Sequence, residues 1–595
     1  MRPRSLPHAF LAPVRLAVAV ASAILAACAG PASAQTTFCA DDPPLNPWLA
    51  DSPYPVYHRN SYAQASTCLP GPRPGDSLAV TYRRDVTGGT SPWVYLSEAY
   101  PDGRRALLYS NSTHVFKFLD EGERLVAVDS VRLDFNTLNS NGYNHLLSRG
   151  NVWYSYEPTY EPERGRYSRL FKFGDADPRD PYSPIVTLDT FDFGDYGINR
   201  VNMYNLNYEG QIVWYSEEDT TRDVAFAGVI DRDFRLLDTL SFARLPDERI
   251  NHNSIAVDED NAFYIVTSHR LIQFAWDGED VRIGWEARYD FVADGPTGSF
   301  AYGSGTTPTL VGWGEGNDQL VVVADGHARN NLVAFWRKPP PGWTGLPGMP
   351  LHFADSIAIP NARSFSNRFQ SIENSPTARG YDIAIAQYNG FLGYGCDNEK
   401  GVSKFRWDTA ANRLELAWTN EDVNVNGVLS YSAGTGLVYG AGKELDCRYY
   451  YYGLDWDDGS VALREPIGEE EAFPDDPLYD QGVNHVIAED GSIYYSGSRS
   501  LVRVRGVPRA SATATMTGGP ALRLSPSPAT TWAAVSDAAL EGARYDVYAA
   551  DGRRVGAGRV RGGRIDLAGL PSGVLAVTLD GERGRVRVRV VKAEP

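Results

Sequence analysis

Residues 253–290 read NSIAVDEDNAFYIVTSHRLIQFAWDGEDVRIGWEARYD. Polar breaks at Asp258-Glu259-Asp260-Asn261, Ser268-His269 and Asp277-Gly278 cut this stretch into four short runs. The runs are rich in Ile, Val, Phe, Tyr and Trp, which suit a pleated surface, and Asp-Gly is a hairpin turn signal. The same grammar returns in residues 106–131 (ALLYSNSTHVFKFLDEGERLVAVDSV), in 144–157 with 168–175, and in 483–506 (VNHVIAEDGSIYYSGSRSLVRVRG). A four-strand unit recurring at roughly 50 to 60 residues is the mark of a β-propeller blade. Units open near Trp93, Asn144, Asn202, Asn251, Gly303, Phe365, Asn426 and Asn484, giving eight. Seven stays open, because the Pro-rich insertion 338–350 (KPPPGWTGLPGMP) obscures the strands around it. The last unit lacks a fourth strand, and SLAVTYRRD (77–85) can supply it and close the ring, removing open sheet edges. No amphipathic helical period interrupts residues 77–508. The expected fold is therefore all-β: an eight-bladed, or seven-bladed, β-propeller followed by a small antiparallel β-sandwich.

Composition fits this picture. The chain has 595 residues, 43% hydrophobic and 22% charged, which excludes wholesale disorder and suggests more than one domain. A formal charge of −18 argues against nucleic acid as a partner and against binding to anionic membranes. Five cysteines without CxxC spacing do not suggest structural zinc.

The first 34 residues read as an export signal. Arg2, Arg4 and Arg15 precede or flank an apolar run over 16–27, and Ala32-Ser33-Ala34 makes a cleavage site. Leu25-Ala26-Ala27-Cys28 offers a competing lipobox-like reading. Cleavage after Ala34 leaves Cys39, Cys68, Cys396 and Cys447, an even number in an exported chain. Proximity favours Cys39–Cys68 and Cys396–Cys447 among the three pairings. No later apolar run is long enough for a transmembrane helix. The expected domains are the signal (1–34), a disulfide-stapled arm (35–76), the propeller (77–508), a linker (509–521) and the sandwich (522–592). Residues 522–592 carry 12 Arg+Lys against 7 Asp+Glu, a net of +5, while 35–521 is left with −25. That segregation marks two folding units.

The C-terminal segments LRLSPSPATT (522–531), YDVYAADGRRV (545–555), IDLAGLPSGVLAVTLDG (565–581) and VRVRVVK (586–592) resemble, in order and spacing, the type A C-terminal sorting domain of the type IX secretion system. The resemblance implies export through the periplasm, passage of the outer membrane, removal of the tail, and release or attachment at the cell surface. The secretion machinery would then be a partner. In the body, YYYYGLDWDDGSVALREP (449–466) and GSGTTPTL (303–310) are similar to segments of quinoprotein, PQQ-like eight-bladed propellers. Those proteins' adjacent Cys-Cys pair is missing here, so PQQ is not carried over and the cofactor stays unknown.

Propellers usually bind ligands at one mouth of the central channel, near the ends of the innermost strands. Three units open with the same dipeptide: Asn144-His145, Asn251-His252 and Asn484-His485. Imidazole serves as an acid–base group or a metal ligand, and a neighbouring Asn can fix its tautomer. The same dipeptide could equally brace the repeat by bonding to backbone. His58 and Arg59, in a Pro-rich arm stapled by Cys39–Cys68, could be brought to a channel mouth. Ser304, Thr306 and Thr307 could offer hydroxyls and backbone amides to an anion, or simply pack a tight turn. Two functions stay open: an exported propeller binding a glycan or peptide ligand, or a secreted lyase, hydrolase or oxidoreductase using the channel histidines with or without a metal.

Overall fold

The computed structural model describes residues 38–39, 41–84, 93–110, 114–133, 146–161, 165–217, 219, 221–250, 253–289, 303–327, 329–360, 372, 374–387, 401–469, 471, 477–478, 485–497, 499–508, 524–525, 531–535, 540–549, 553–581 and 584–592. They fall into two compact units, Met1–Val507 and Pro508–Pro595.

The larger unit is a β-propeller. Its described residues hold eight antiparallel sheets, one after another along the chain. Their innermost strands are Trp93–Leu96, Leu146–Ser148, Val201–Leu206, Ala256–Val257, Thr309–Val311, Thr377–Arg379, Ser430–Ser432 and Val486–Ile487, here numbered sheets 1 to 8. Within sheets 1 to 7 each successive strand pairs outward with the one before it. Sheet 8 gets only three strands from the C-terminal side, and Asp76–Arg83 pairs with Ser500–Pro508 as its outermost strand. The innermost strand of sheet 1 also packs against that of sheet 8, so the ring closes. The fold and the closing strand thus match the sequence reading.

The strand patterns follow from this stacking. Second strands are buried on both faces, because a sheet lies on either side: Ile212–Ser216 and Leu320–Ala324 are buried throughout. Outer strands such as Val281–Arg288 alternate between buried and open positions. Apolar clusters fill the gaps between neighbouring sheets; Val213, Val229, Ile265 and Phe274, for example, join sheets 3 and 4. Polar bolts supplement them. Asp129, Asp238 and Asp355, on the outer strands of sheets 1, 3 and 5, accept hydrogen bonds at 2.7 Å from the amides of Ile185, Val281 and Leu414 in the next sheet. Lys117 and Asp175 form a fully buried ion pair at 2.5 Å between sheets 1 and 2.

The smaller unit is an antiparallel sandwich. One sheet comprises Leu524–Ser525, Trp532–Val535 and Arg564–Asp566; the other comprises Arg554–Arg559, Arg544–Tyr548, Gly573–Gly581 and Gly584–Lys592. Val547, Ile565, Leu567, Val577 and Leu579 form its core. The hairpin signal at Asp580-Gly581 is used, since paired strands end at Gly581 and restart at Gly584. The signal at Asp551-Gly552 lies outside the described residues, as do the export-signal residues 1–34 and the linker 509–521.

Candidate functional site

The arm before the closing strand forms the inside of the ring. Residues 52–67 are buried without exception, yet almost none lie in regular structure. A buried irregular segment must still pair its backbone polar groups. It does so with one amide from each of six inner strands in turn: Leu96 donates to the Tyr54 carbonyl, Leu147 to Pro55, Val257 to Ser61, Leu310 to Tyr62, Ala378 to Gln64 and Tyr431 to Ala65. Sheet 3 is met by the Asn46 side chain, whose Nδ2 donates to the Leu206 carbonyl at 2.9 Å. Ser66–Thr67 then pairs parallel with Tyr431-Ser432. The arm therefore touches sheets 1 through 7 before its continuation completes sheet 8.

This winding needs unusual backbone. His58, Arg59, Ala63 and Ala65 all have positive φ, between 50° and 75°. Such a conformation costs a non-glycine residue about 1–2 kcal/mol, so the surroundings must hold it. Cys39–Cys68 ties the two ends of the arm together, as expected. Arg59 Nη2 donates to Asp42 Oδ2 at 2.7 Å and Nη1 to the Ser66 carbonyl. Arg379, on sheet 6, also pairs with Asp42. Burial would raise the Asp42 carboxyl, but Arg59 and Arg379, with the Cys39 amide, hold it below its ordinary value. The Arg59 guanidinium, expected to be available at a channel mouth, is thus engaged inside the arm. His58 is fully buried beside the Tyr57 ring, and neither ring nitrogen has a partner. Burial pushes its pKa well below the ordinary imidazole value, so it is neutral.

The beginnings of the inner strands carry a belt of hydroxyls next to the arm, and Thr309 Oγ1 also donates to the Ala63 carbonyl of the arm at 3.1 Å. Thr307 Oγ1 accepts from the Ser254 amide, and Ser375 Oγ from the Thr307 amide. One step along, Thr309 Oγ1 donates to the Pro376 carbonyl, Thr377 Oγ1 to Leu429, and Ser430 Oγ to His485. These bonds stitch sheet 4 to 5 and onward to 8. Ser304 and Thr306 bond each other at 3.0 Å, and Thr306 Oγ1 accepts from the Ala324 amide. Gly303 permits this turn: it has φ 84°, and a Cβ there would lie 2.3 Å from the Ser268 carbonyl oxygen. Ser304, Thr306 and Thr307 are buried and bonded within the ring itself.

His485 is also buried. Its Nδ1 lies 2.8 Å from Tyr451 Oη, and its ring stacks on Tyr495 with centroids 5.0 Å apart. Asn144, His145, Asn251, His252 and Asn484 lie outside the described residues. Hairpin register nevertheless aligns their sheets: Leu147 pairs with Trp153, Val257 with Phe263 and Ile487 with Ile493, each at the same point of an equivalent hairpin. Counted along the chain, His145 and His485 precede these points by two residues and His252 by five. Among the described residues, no group of three or more His, Cys, Asp or Glu is placed to hold a metal ion. Cys447 is disulfide-bonded, with its partner outside the described residues, as Cys396 is.

Two residues at the belt were missed in the sequence. Asn374 leaves both amide atoms without a partner, and Asn426 leaves Nδ2 without one, although both are buried. Each stands three residues before a partner in the Thr377–Leu429 bond that joins sheets 6 and 7. A signal existed: Asn374-Ser375-Pro376-Thr377 repeats the form of Thr306-Thr307-Pro308-Thr309.

Comparison with known proteins adds little chemistry. No family model matches the chain. It is 26% identical over 436 residues to an uncharacterized protein of Archaeoglobus fulgidus, covering 68% of this chain and 78% of that one. Among solved structures it is similar to a europium-containing methanol dehydrogenase, with 8% identity, 76% and 98% coverage of the two chains and a TM-score of 0.49. The periplasmic gluconolactonase of Pseudomonas aeruginosa shows 10% identity, 64% and 97% coverage and a TM-score of 0.35. PorZ, a surface component of the type-IX secretion system of Porphyromonas gingivalis, shows 11% identity, 84% and 75% coverage and a TM-score of 0.23. At these values none of them assigns a ligand or a reaction to this chain.

Proposed function

We propose that the protein is an exported propeller that binds a polar ligand, a glycan or a peptide, at the mouth where its inner strands begin. The supporting observation is a pair of buried side chains just before the inner strands of sheets 6 and 7: Asn374 and Asn426 hold amide groups that have no partner among the described residues. Unpaired buried amides are costly unless something else satisfies them. His485, braced by Tyr451 and Tyr495, favours a binding role over acid–base turnover. A thermal-shift screen of glycans and peptides on the mature chain tests this reading. A stabilising compound should lose its effect in Asn374→Leu/Asn426→Leu; an unchanged shift in that variant refutes the site.

The C-terminal sandwich is, on this reading, a sorting domain for a type IX-like machinery, and the destination is the cell surface or the medium. The disulfides are compatible with that route, and Cys396 is the proposed partner of Cys447. Deleting residues 522–595 should leave the protein in the periplasm, seen by cell fractionation; normal surface appearance of the truncated chain refutes the sorting role.

A further inference from the structure

Lys117 and Asp175 face each other between sheets 1 and 2, from the third strands His114–Asp120 and Gly165–Asp175, and both side chains are fully shielded from solvent. Lys117 Nζ lies 2.5 Å from Asp175 Oδ1. Two more groups complete the site. The Tyr100 hydroxyl donates to Asp175 Oδ2 at 2.6 Å, and Lys117 Nζ donates to the Ser183 carbonyl at 3.0 Å. Two charges in a dry site are costly even when paired. Transfer of one proton from the lysine to the carboxylate removes both charges and leaves an amine against a carboxylic acid. Burial raises the Asp175 carboxyl above its ordinary value, even against Lys117 and Tyr100. Lys404–Asp382, at 2.9 Å, is the contrasting case. Its aspartate is partly open to solvent, and there burial is outweighed by Arg406 and Lys404, which hold the carboxyl below its ordinary value.

The groups around Lys117 and Asp175 are also those that an amide in the same place would need. Suppose Nζ bonds to Cγ and Oδ1 departs. Oδ2 becomes the amide oxygen and already holds the Tyr100 hydroxyl, while the remaining N–H already has the Ser183 carbonyl. No polar atom is orphaned and no charge stays buried. We infer that Lys117 and Asp175 condense to an isopeptide bond that staples sheet 1 to sheet 2. The neutral Nζ attacks Cγ, and the carbonyl electron pair moves to Oδ2, where the Tyr100 hydrogen bond steadies the negative charge. The pair then returns, the Cγ–Oδ1 bond breaks, and Oδ1 leaves as water with its own proton and one from Nζ. No oxidant or reductant takes part. The bond joins residues 58 apart in sequence without using a cysteine. The inference is independent of the ligand reading, which concerns Asn374 and Asn426 before the inner strands of sheets 6 and 7.

The test is intact mass spectrometry of the full mature chain, residues 35–595, purified in its folded state and then reduced and denatured. The parent should weigh one water less than its sequence, and digestion should release a branched peptide joining Lys117 to Asp175. This measurement decides the matter without any variant. Lys117→Arg keeps a cation beside Asp175 but brings no amine that can condense, so it should show its full sequence mass. Lys404→Arg, on sheet 6, should lack one water as the parent does. Tyr100→Phe, without the hydroxyl at Oδ2, should reach the lighter mass about 100-fold more slowly after synthesis. A parent chain at full mass, a water lost at other residues, or the same loss in Lys117→Arg would each overturn the proposal. Condensation of Tyr100→Phe at the parent rate would overturn the step as written.

Discussion

His58 is a neutral imidazole enclosed in the arm with both nitrogens unpartnered. Replacing it with Phe keeps a ring against Tyr57 and removes two unsatisfied polar atoms. His58→Phe should therefore raise unfolding free energy at pH 7.5 by about 1–3 kcal/mol, read by chemical denaturation. The variant should also change the pH profile. Because burial depresses the folded-state pKa, the unfolded chain takes up a proton below about pH 6.5 that the folded chain refuses. Stability is then lost as pH falls, by up to about 1.4 kcal/mol per unit for this one group. Asp325 works in the opposite sense. Burial pushes its carboxyl up to about 6, so its contribution weakens as pH rises toward 6. The two partly cancel between pH 4 and 6, and the difference between parent and His58→Phe isolates the histidine. Asp42 adds a lower window: two arginines hold it below the ordinary carboxylate value, so its stabilisation persists until stronger acid. Asp42→Ala would leave Arg59 and Arg379 without that partner and should cost about 3–5 kcal/mol; a smaller loss than 1 kcal/mol would show that the arm is not held there.

The arm is the element that the sequence conceals best. The sheets are legible because strands alternate and turns punctuate them, and a ring of sheets repeats that signal eight times over. The arm has no period. Its residues Pro53, Pro55, Asn60, Ser61 and Gln64 read as solvated loop, and only the partner amides of six inner strands make it a buried one. The candidate site was half legible for a related reason. Asn-His is conspicuous as a dipeptide, but counted along the chain from the paired inner-strand residues Leu147, Val257 and Ile487, His252 stands three residues farther back than His145 and His485. The Asn374-Ser375-Pro376-Thr377 repeat and the unit start at Asn426 were legible, but the role of these asparagines was not, because an unpaired amide is a property of the assembled junction. The arm's exit gives an element-scale test. A Cβ on Gly434 would lie 2.4 Å from the Cys68 carbonyl oxygen and 2.8 Å from the Pro70 nitrogen. Gly434→Val should unseat the arm, lower the melting temperature and expose residues 52–67 to protease. Cys39→Ser/Cys68→Ser should cost about 2–4 kcal/mol by loosening the same segment.

At the scale of the molecule, charge is divided between an acidic ring and a basic sandwich, and the proposed function gives the two units separate tasks: one to hold a ligand, the other to reach an address. The ring is also closed by its own beginning. Residues 46–67 make their bonds to sheets 1 through 7, and Asp76–Arg83 completes the sheet that ends at Pro508. The earliest part of the mature chain thus has no seat until nearly all of the remainder has arrived. Such long-range closure folds slowly. A polypeptide threaded head-first through a narrow translocon would stay unlatched while it moves, and would lock only once its final sheet has cleared the pore.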